Sequence, residues 1–198
     1  MSSLEVEVRG GCTVAQLTEI LTADGGIMML PSRPFDEITP GLFIGEEAIA
    51  RSPANLTHIG VTHVLNAAEG ADDNYHVTAD KEIYRPAGIK YKGVEASDDT
   101  EFDLSKHFNN CADYIADALE GGGKVMVFCK VGSSRSAAIV LAFLMLKRHY
   151  TAPEAVKRVR SRREICPNDG FLQQLCDLNE TLKSIGHFDK KRPQSTNM

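Results

Sequence analysis

The chain has 198 residues and a formal net charge of −5, because 27 Asp and Glu outnumber 22 Lys and Arg. Its length suits one domain, and its 42% hydrophobic and 25% charged residues are typical of a soluble globular protein rather than a disordered chain. The acidic balance disfavours nucleic acid as a partner, and because no apolar run approaches the roughly 20 residues that span a bilayer, we expect no membrane partner.

The first half of the chain predicts one helix and three strands. Thr13–Gln16 has the form of a capping box and is followed by apolar residues at helical spacing, so residues 1–27 are expected to form a helical extension packed on the domain. Short apolar runs at Leu42–Ile44 and Val61–Asn66 predict buried strands. Ile89–Val94 alternates with period two, which predicts a further strand.

The second half predicts one buried strand among four helices. From Leu104 to Leu119 apolar residues follow the three-four spacing of a helix, and Lys124–Phe128 is an apolar strand. Ala137–Leu146 is apolar nearly all round, which is typical of a helix in the middle of a core. Thr151–Glu154 is a second capping box that opens a basic helix, and Gly170–Leu182 predicts the last helix.

Strands that alternate with helices along the chain indicate an α/β architecture. We expect a single domain over residues 28–186. The polar and aperiodic residues 187–198 predict a disordered tail.

The charge is distributed unevenly. The basic segment, Lys147–Arg163, carries seven Lys and Arg and one acid, Glu154, so its charge is +6, whereas the rest of the chain is −11. Such a patch on an acidic protein can attract an anionic ligand. It can equally be the solvated face of a helix, and composition does not separate the two interpretations.

Five cysteines without a C-x-x-C pair indicate neither a disulfide framework nor a zinc site. The scattered His63, His76 and His149 have no ligand spacing and are interpreted as structural or surface residues, so no metal is expected. The first residues, Met-Ser-Ser-Leu-Glu-Val-Glu, lack the pattern of a secretory signal. We therefore expect a reducing compartment, the cytoplasm, with the nucleus as a second location.

The Cys129–Arg135 loop is the segment that carries chemistry, because it lies between the buried strand and the buried helix. Gly132 and the two serines after it permit a tight loop whose successive backbone N–H groups point into one concavity. The helix N-terminus adds partial positive charge, and Arg135 adds a planar fork that fits two phosphate oxygens. A sulfur in such a field is favoured as thiolate, so Cys129 is interpreted as a nucleophile aimed at bound phosphate. The alternative is a small buried hydrophobe, as most lone cysteines are.

A general acid should lie on another loop that faces the pocket, because an alkoxide or phenolate leaves poorly without a proton. Asp98 and Asp99 follow the Ile89–Val94 strand at the appropriate end of the sheet, although an Asp before a helix is also an ordinary N-cap. From the residues alone the two interpretations stand level. Ser136, directly after Arg135, is either a donor that eases the departure of the sulfur or an ordinary residue of the first helical turn.

Cys129-Lys-Val-Gly-Ser-Ser-Arg135 matches the C-x-x-G-x-x-R loop of the cysteine-dependent protein tyrosine phosphatase superfamily. The match extends over nearly the whole chain through Ile38-Thr-Pro40, Gly60–Gly70, Glu101–Ser105 and Arg163–Leu172. The sequence therefore resembles the small atypical dual-specificity phosphatases, most closely the VH1-related group.

The resemblance implies a single α/β phosphatase domain with a central mixed sheet flanked by helices, acting on phosphotyrosine and on phosphoserine or phosphothreonine. It implies that Cys129 is the nucleophile, that Asp98 rather than Asp99 is the acid, and that Ser136 assists hydrolysis. It implies no cofactor. The residues that it assigns to phosphate binding are Lys130, Val131, Gly132, Ser133, Ser134 and Arg135.

The resemblance also implies a role for the end of the basic segment. Arg163 falls where the closest relatives place an arginine that binds a second phosphate on a doubly phosphorylated peptide, such as the activation loop of a MAP kinase. Phosphorylated proteins, MAP kinases among them, are therefore the expected partners. Cys111, Cys166 and Cys176 are interpreted as core residues rather than redox partners of Cys129.

The sequence departs from the family pattern beside the nucleophile. Phe128 stands where the family has a histidine whose hydrogen bonds help to set the loop geometry, so we expect weaker stabilisation of the thiolate and reduced activity. Lys130 and Val131 replace a more polar Arg-Glu pair, and Ser133 replaces a tyrosine. These changes predict a pocket rim without an acidic residue or an aromatic wall.

Three functions are compatible with these residues. The first is an active, slowed dual-specificity phosphatase that forms a phosphocysteine. The second is a pseudophosphatase that holds phosphoproteins with little or no turnover. The third is a sulfur-carrying, rhodanese-like enzyme, which ranks last because Arg135 and Asp98 have no role in that chemistry.

Overall fold

The computed structural model describes residues 11–22, 26–72, 75–78 and 81–189. The start of the expected helical extension, residues 1–10, and most of the expected tail, residues 190–198, lie outside the described residues. In the described part of the chain, no helix is both long and apolar enough to cross a membrane.

A five-stranded sheet forms the centre of the domain, with the strand order β1-β2-β5-β3-β4. Its strands are β1 Phe35–Thr39, β2 Leu42–Gly45, β3 His63–Glu69, β4 Lys90–Glu95 and β5 Val125–Phe128. β1 runs antiparallel to β2, and the other pairs, β2·β5, β5·β3 and β3·β4, are parallel. The expected α/β fold with a mixed sheet is therefore confirmed.

Seven α-helices lie among the described residues. They are α1 Val14–Leu21, α2 Glu47–Ala50, α3 Pro53–Ile59, α4 Phe108–Glu120, α5 Arg135–Arg148, α6 Ala152–Arg160 and α7 Asp169–Ser184. Short 3₁₀ turns occupy Lys81–Ile83, Arg85–Ala87, Ser105–His107 and His187–Asp189. The last of these lies within the predicted tail, where the half-buried His187 makes hydrogen bonds to His149 and Met145, so the ordered chain continues at least to Asp189.

α5 is the central helix, as its uniform apolarity predicts. Its residues from Arg135 to Met145 are all buried, because α4, α6 and α7 pack around it and the sheet covers the remaining side. β5, the strand that leads into it, is buried over its whole length between β2 and β3. The connection from β5 to α5 therefore lies at the carboxyl end of the middle strand, where α/β sheets bind their ligands.

Both predicted capping boxes begin helices. The Thr13 hydroxyl accepts a hydrogen bond from the Gln16 N–H, and α1 packs against α6 and α7. At α6 the box is complete, because Thr151 accepts from the Glu154 N–H and the Glu154 carboxylate accepts from the Thr151 N–H. The strand β1 and the short helices α2 and α3 were not predicted, since none of them carries a long apolar period.

Candidate active site

Donors from outside the Cys129–Arg135 loop hold its backbone carbonyl groups. Two of these bonds come from one side chain, that of Arg163. The bonds are Glu47 N–H to Lys130 O (3.2 Å), Arg163 Nη2 to Val131 O (3.2 Å), Arg163 Nε to Gly132 O (2.8 Å), Cys166 N–H to Ser133 O (2.8 Å) and Ala138 N–H to Ser134 O (2.8 Å).

This pattern turns the loop amides inward. In a trans peptide the C=O and the following N–H point in opposite directions, and no cis peptide occurs in the described residues. Since five successive carbonyl groups point outward to their donors, the five N–H groups from Val131 to Arg135 point toward the enclosed side of the loop. The predicted concavity of backbone donors is thus built by contacts made outside it.

Gly132 is required at the tightest point of the loop. Its φ of 71° lies in the left-handed region, which side chains with a Cβ rarely adopt. A Cβ at this position would also collide with the backbone of Gly45 and lie 2.9 Å from the Arg163 guanidinium. The loop therefore packs directly onto the end of β2, where no side chain fits.

The guanidinium of Arg135 is held at one end only. The Arg135 side chain is buried, and its Nη1 donates to the carbonyl oxygens of Tyr75 (2.7 Å) and Ala96 (2.9 Å). Its Nε is buried without a hydrogen-bond partner among the described residues, and the Asp98 carboxylate at 3.6 Å is too far to accept one. A buried cationic donor without a hydrogen-bond acceptor is costly unless a ligand supplies one.

Asp98 faces this guanidinium across the pocket. Its Oδ1 accepts hydrogen bonds from the Ser134 hydroxyl (2.7 Å) and from the Asn168 amide (2.9 Å), whereas its Oδ2 is the oxygen closer to Arg135. Asp99 is used differently, because its Oδ1 accepts from the Glu101 N–H (2.8 Å) and caps a turn. The two adjacent acids, of which the resemblance assigned Asp98 as the general acid, have different contacts.

Cys129 lies at the bottom of the loop with 2% of its surface exposed. Its Sγ is 3.2 Å from the Ser136 hydroxyl, which is itself fully buried at the first turn of α5. The sulfur thus has a hydrogen-bonding neighbour on one side and the inward-facing amides around it. The structure brings Cys129 to Ser136 and Arg135 to Asp98 at the two ends of the loop, and the catalytic roles of these residues stay predictions.

Comparison with known proteins identifies this arrangement. Residues 42–181 match the family described as the dual specificity phosphatase, catalytic domain. The chain is 46% identical over 149 residues to dual specificity protein phosphatase 26 of Rattus norvegicus, a match covering 75% of this chain and 68% of the relative. It is 44% identical over 155 residues to human dual specificity protein phosphatase 13B, covering 77% of each. The chain belongs to the dual specificity phosphatase family.

The fold of this phosphatase domain is also shared with solved structures. Human DUSP28 superposes with a TM-score of 0.66 at 30% identity, over 76% of this chain and 96% of that one. A human tyrosine phosphatase-like serine/threonine/tyrosine-interacting protein gives a TM-score of 0.66 at 28% identity, over 76% and 99%. The recognition from the loop and the further matching stretches is therefore confirmed, and the domain is that of a protein tyrosine/serine/threonine phosphatase.

The structure corrects the substrate-binding prediction for Arg163. Its side chain has no exposed surface, and besides the two loop carbonyls it contacts the Asp36 carboxylate (2.8 Å) and the Arg33 carbonyl (2.9 Å). Asp36 is itself buried and forms a second ion pair with Arg33 (2.5 Å). All three nitrogens of the Arg163 guanidinium donate to protein atoms, so this side chain supports the phosphatase loop from behind rather than contacting a substrate.

Two residues distant in the sequence contact the loop from outside. Glu47 of α2 forms ion pairs with Lys130 (3.2 Å) and with Arg51 (2.7 Å), and the backbone carbonyl of Tyr75 accepts from the guanidinium of Arg135. Inspection of the loop alone could not find these contacts. A rim without an acidic residue or an aromatic wall stays a prediction.

The other cysteines are placed apart from the nucleophile or at the edge of the core. Cys111 is buried in α4, and burial raises the pKa of its thiol to about 11. Cys166 is half-buried, with its Sγ 3.1 Å from the Met28 sulfur. Cys176 is buried in α7 and contacts Cys12. The sequence analysis did not find Asn168 as a partner of Asp98, nor the bond that Ser134, expected only to bind phosphate, donates to the same carboxylate.

Proposed function

We propose that this phosphatase domain hydrolyses phosphotyrosine and phosphoserine or phosphothreonine through a phosphocysteine at Cys129. The observation that carries the proposal is the guanidinium of Arg135, anchored through Nη1 and left with a buried Nε that has no hydrogen-bond acceptor among the described residues. A phosphoryl group in the loop would supply the missing acceptor and would also meet the amides of residues 131–135.

The first chemical step transfers the phosphoryl group to sulfur. The Cys129 thiolate attacks phosphorus, and the bond from phosphorus to the ester oxygen breaks on the opposite side. Asp98 gives a proton to that departing oxygen through Oδ2, since Oδ1 already accepts bonds from Ser134 and Asn168. The dephosphorylated side chain leaves as a neutral alcohol or phenol.

The second step releases phosphate. The Asp98 carboxylate, having lost its proton, takes one from a water molecule that attacks phosphorus as the phosphorus–sulfur bond breaks. The hydroxyl of Ser136, 3.2 Å from the sulfur, donates to the thiolate as it departs. Inorganic phosphate is released, and Cys129 and Asp98 return to their starting protonation states.

The surroundings of Phe128 support the proposal that turnover is slowed rather than absent. Its side chain is fully buried, and its backbone pairs with Asn66 of β3. The polar atoms of Asn66 are already bonded, with its Nδ2 donating to Val77 O (2.8 Å) and to the Tyr91 hydroxyl (3.0 Å) and its Oδ1 accepting from Ala68. Donors outside the Cys129–Arg135 loop hold it without help from residue 128. The absence of a histidine at this position therefore weakens the stabilisation of the thiolate and leaves the pocket geometry in place.

Phosphorylated proteins are the proposed substrates, in the cytoplasm. Because Arg163 is turned away from the pocket, the proposal does not include a second phosphate contact. A MAP kinase substrate and a nuclear location stay predictions that the described contacts neither add to nor remove.

The test is turnover of a small aryl phosphate and of phosphopeptides by wild type and by Cys129→Ser. We expect slow but measurable hydrolysis by wild type, none by the variant, and a phosphorylated Cys129 after rapid acid quenching. Cys111→Ser is the matched control, since it removes another buried thiol without touching the pocket. Turnover that survives Cys129→Ser would overturn the mechanism. Unchanged phosphopeptide affinity in Cys129→Ala, beside a wild type without turnover, would instead establish a pseudophosphatase.

A further inference from the structure

Two cysteines outside the active site contact each other across a long stretch of sequence. The Sγ atoms of Cys12 and Cys176 are 2.6 Å apart, although the residues are separated by 164 positions. Both thiols are free, and the pair is part-buried, with Cys176 at 1% exposure and Cys12 half-buried. Nothing in the phosphatase mechanism uses either residue.

Neighbouring contacts hold the two thiols next to each other. Cys12 lies just before the N-cap of α1, and its N–H donates to the Glu180 carboxylate (2.9 Å) on the same helix α7 that carries Cys176. α1 itself packs against α7 and α6. The contact is therefore part of the interface between α7 and residues 11–22, which are called the N-terminal segment.

The contact between the two sulfurs affects the acidity of the pair. A hydrogen bond from one thiol to the other lowers the pKa of the sulfur that accepts it, whereas burial raises the pKa of both thiols. Either sulfur can be the donor, so one sulfur of the pair forms a thiolate more readily than the other. A thiolate beside a second thiol is the arrangement that oxidises readily to a disulfide.

We propose that Cys12 and Cys176 form a disulfide when the protein meets a peroxide, and that this bond covalently joins the N-terminal segment to α7. The thiolate of one cysteine attacks one oxygen of hydrogen peroxide, the O–O bond breaks, and the products are a sulfenic acid and hydroxide, which takes up a proton to give water. The sulfur of the other cysteine then attacks the sulfenic sulfur, the S–O bond breaks, and the departing hydroxide takes the thiol proton to give a second water. Two thiols and one peroxide thus become one disulfide and two waters.

The disulfide would be attached to α7, the helix whose N-cap residue contacts the general acid. Asn168, the N-cap of α7, donates to Asp98, and Cys176 follows it by eight residues, about 12 Å along the helix axis. Joining Cys176 to residue 12 closes a very long loop, which is where a cross-link restricts the unfolded chain most. The oxidised protein therefore keeps its N-terminal segment docked under conditions that separate it in the reduced protein.

The experiment is disulfide mapping on the full chain in a Cys129→Ser background, so that oxidation of the nucleophile does not compete. The reduced protein is freed of reductant, treated with equimolar hydrogen peroxide, alkylated with N-ethylmaleimide and digested with trypsin. Mass spectrometry should find the Cys12 peptide joined to the peptide of residues 164–183. Because that peptide also contains Cys166, fragmentation has to place the cross-link at Cys176.

Matched variants complete the test. Cys12→Ser and Cys176→Ser should each abolish the cross-linked peptide, and Cys111→Ser should leave it unchanged. The oxidised protein should melt roughly 5–10 °C higher than the reduced one, a difference that Cys12→Ser removes. Recovery of Cys12 and Cys176 both alkylated after peroxide, or a bond from Cys12 to Cys166, would overturn the proposal. The mapping of the Cys129→Ser protein, in which Cys12 and Cys176 are both intact, decides this even if a further serine substitution impairs folding.

Discussion

The Cys129–Arg135 loop and the basic segment, Lys147–Arg163, both appear in the sequence as sites for an anion, and the structure treats them in opposite ways. In the loop, backbone amides and one arginine converge on a single pocket with one donor left unpaired. In the basic segment, Lys147 pairs with Asp113 and Arg160 with Glu164, at separate places on the surface. A ligand site therefore depends on convergence of donors, and a high local count of cations does not produce it.

Arg163 belongs to the basic segment in sequence and to the loop in space. It is the segment's most buried cation, and its charge is neutralised by Asp36 while its other donors hold loop carbonyls. The segment thus contributes to phosphate binding indirectly, through the shape of the loop. This difference between contacting a ligand and supporting the residues that do so can be tested by substitutions in both regions.

The largest effect is expected for Arg135→Ala. Loss of the guanidinium, whose Nε is the donor left for a ligand, should lower kcat/KM on an aryl phosphate about 10²–10³-fold, because one preorganised donor contributes roughly that factor. Arg148→Ala is the control at the other end of the same helix, where the guanidinium stacks on Phe143. A comparable loss in Arg148→Ala would mean that the two regions do not differ as described.

Asp98→Asn should slow alkyl phosphates about 10²-fold and aryl phosphates bearing good leaving groups much less, because only poor leaving groups need the proton. Steady-state rates over a series of leaving-group pKa values measure this slope. Asp99→Asn, which keeps an oxygen to accept the Glu101 N–H and removes only the carboxyl proton and charge, should leave the slope unchanged. The reverse pattern would assign the acid to Asp99.

Arg163→Met should destabilise the domain by about 3 kcal/mol, since it removes the buried partner of the Asp36 carboxylate and leaves only the exposed Arg33 to pair with it. The melting temperature should fall by roughly 10 °C, and turnover of singly and doubly phosphorylated peptides should fall together. Arg162→Met, at an exposed neighbour, is the control. A loss confined to doubly phosphorylated peptides, without a change in melting temperature, would restore the substrate-binding role.

Phe128→His should accelerate hydrolysis several-fold at low pH and shift the acid limb of the pH–rate profile downward, because a histidine would add hydrogen bonds that favour the thiolate. The profile of kcat/KM against pH is the measurement. If the limb does not move, the loop amides, the helix N-terminus and Arg135 set the thiolate population without residue 128.

The smallest effect is expected for Lys147→Gln. Its ion pair with Asp113 is partly exposed on both sides, and such pairs contribute about 0–1 kcal/mol. Stability in urea and the KM for a phosphopeptide should both stay close to wild type. A marked rise in KM would show that the basic segment attracts the substrate after all.

Local patterns in the sequence determined much of this protein. Spacing of apolar residues placed α5 and β5, because a central helix and a central parallel strand must be apolar on all sides. The two capping boxes began α1 and α6 for the equally local reason that a side chain satisfies the N–H groups of its own first turn. The C-x-x-G-x-x-R spacing identified Cys129 and Arg135 because it encodes one loop.

Only the tertiary structure decided the contacts between distant residues. It separated Asp98 from Asp99 through Ser134 and Asn168, buried Arg163 against Asp36, and brought Cys12 to Cys176. These pairings join residues that lie far apart in the sequence, so no local periodicity predicts them. Each depends on the packing of helices around the sheet. Charge and cysteine content could be counted in the sequence, but which charges are neutralised and which thiols meet depends on what the fold places beside them.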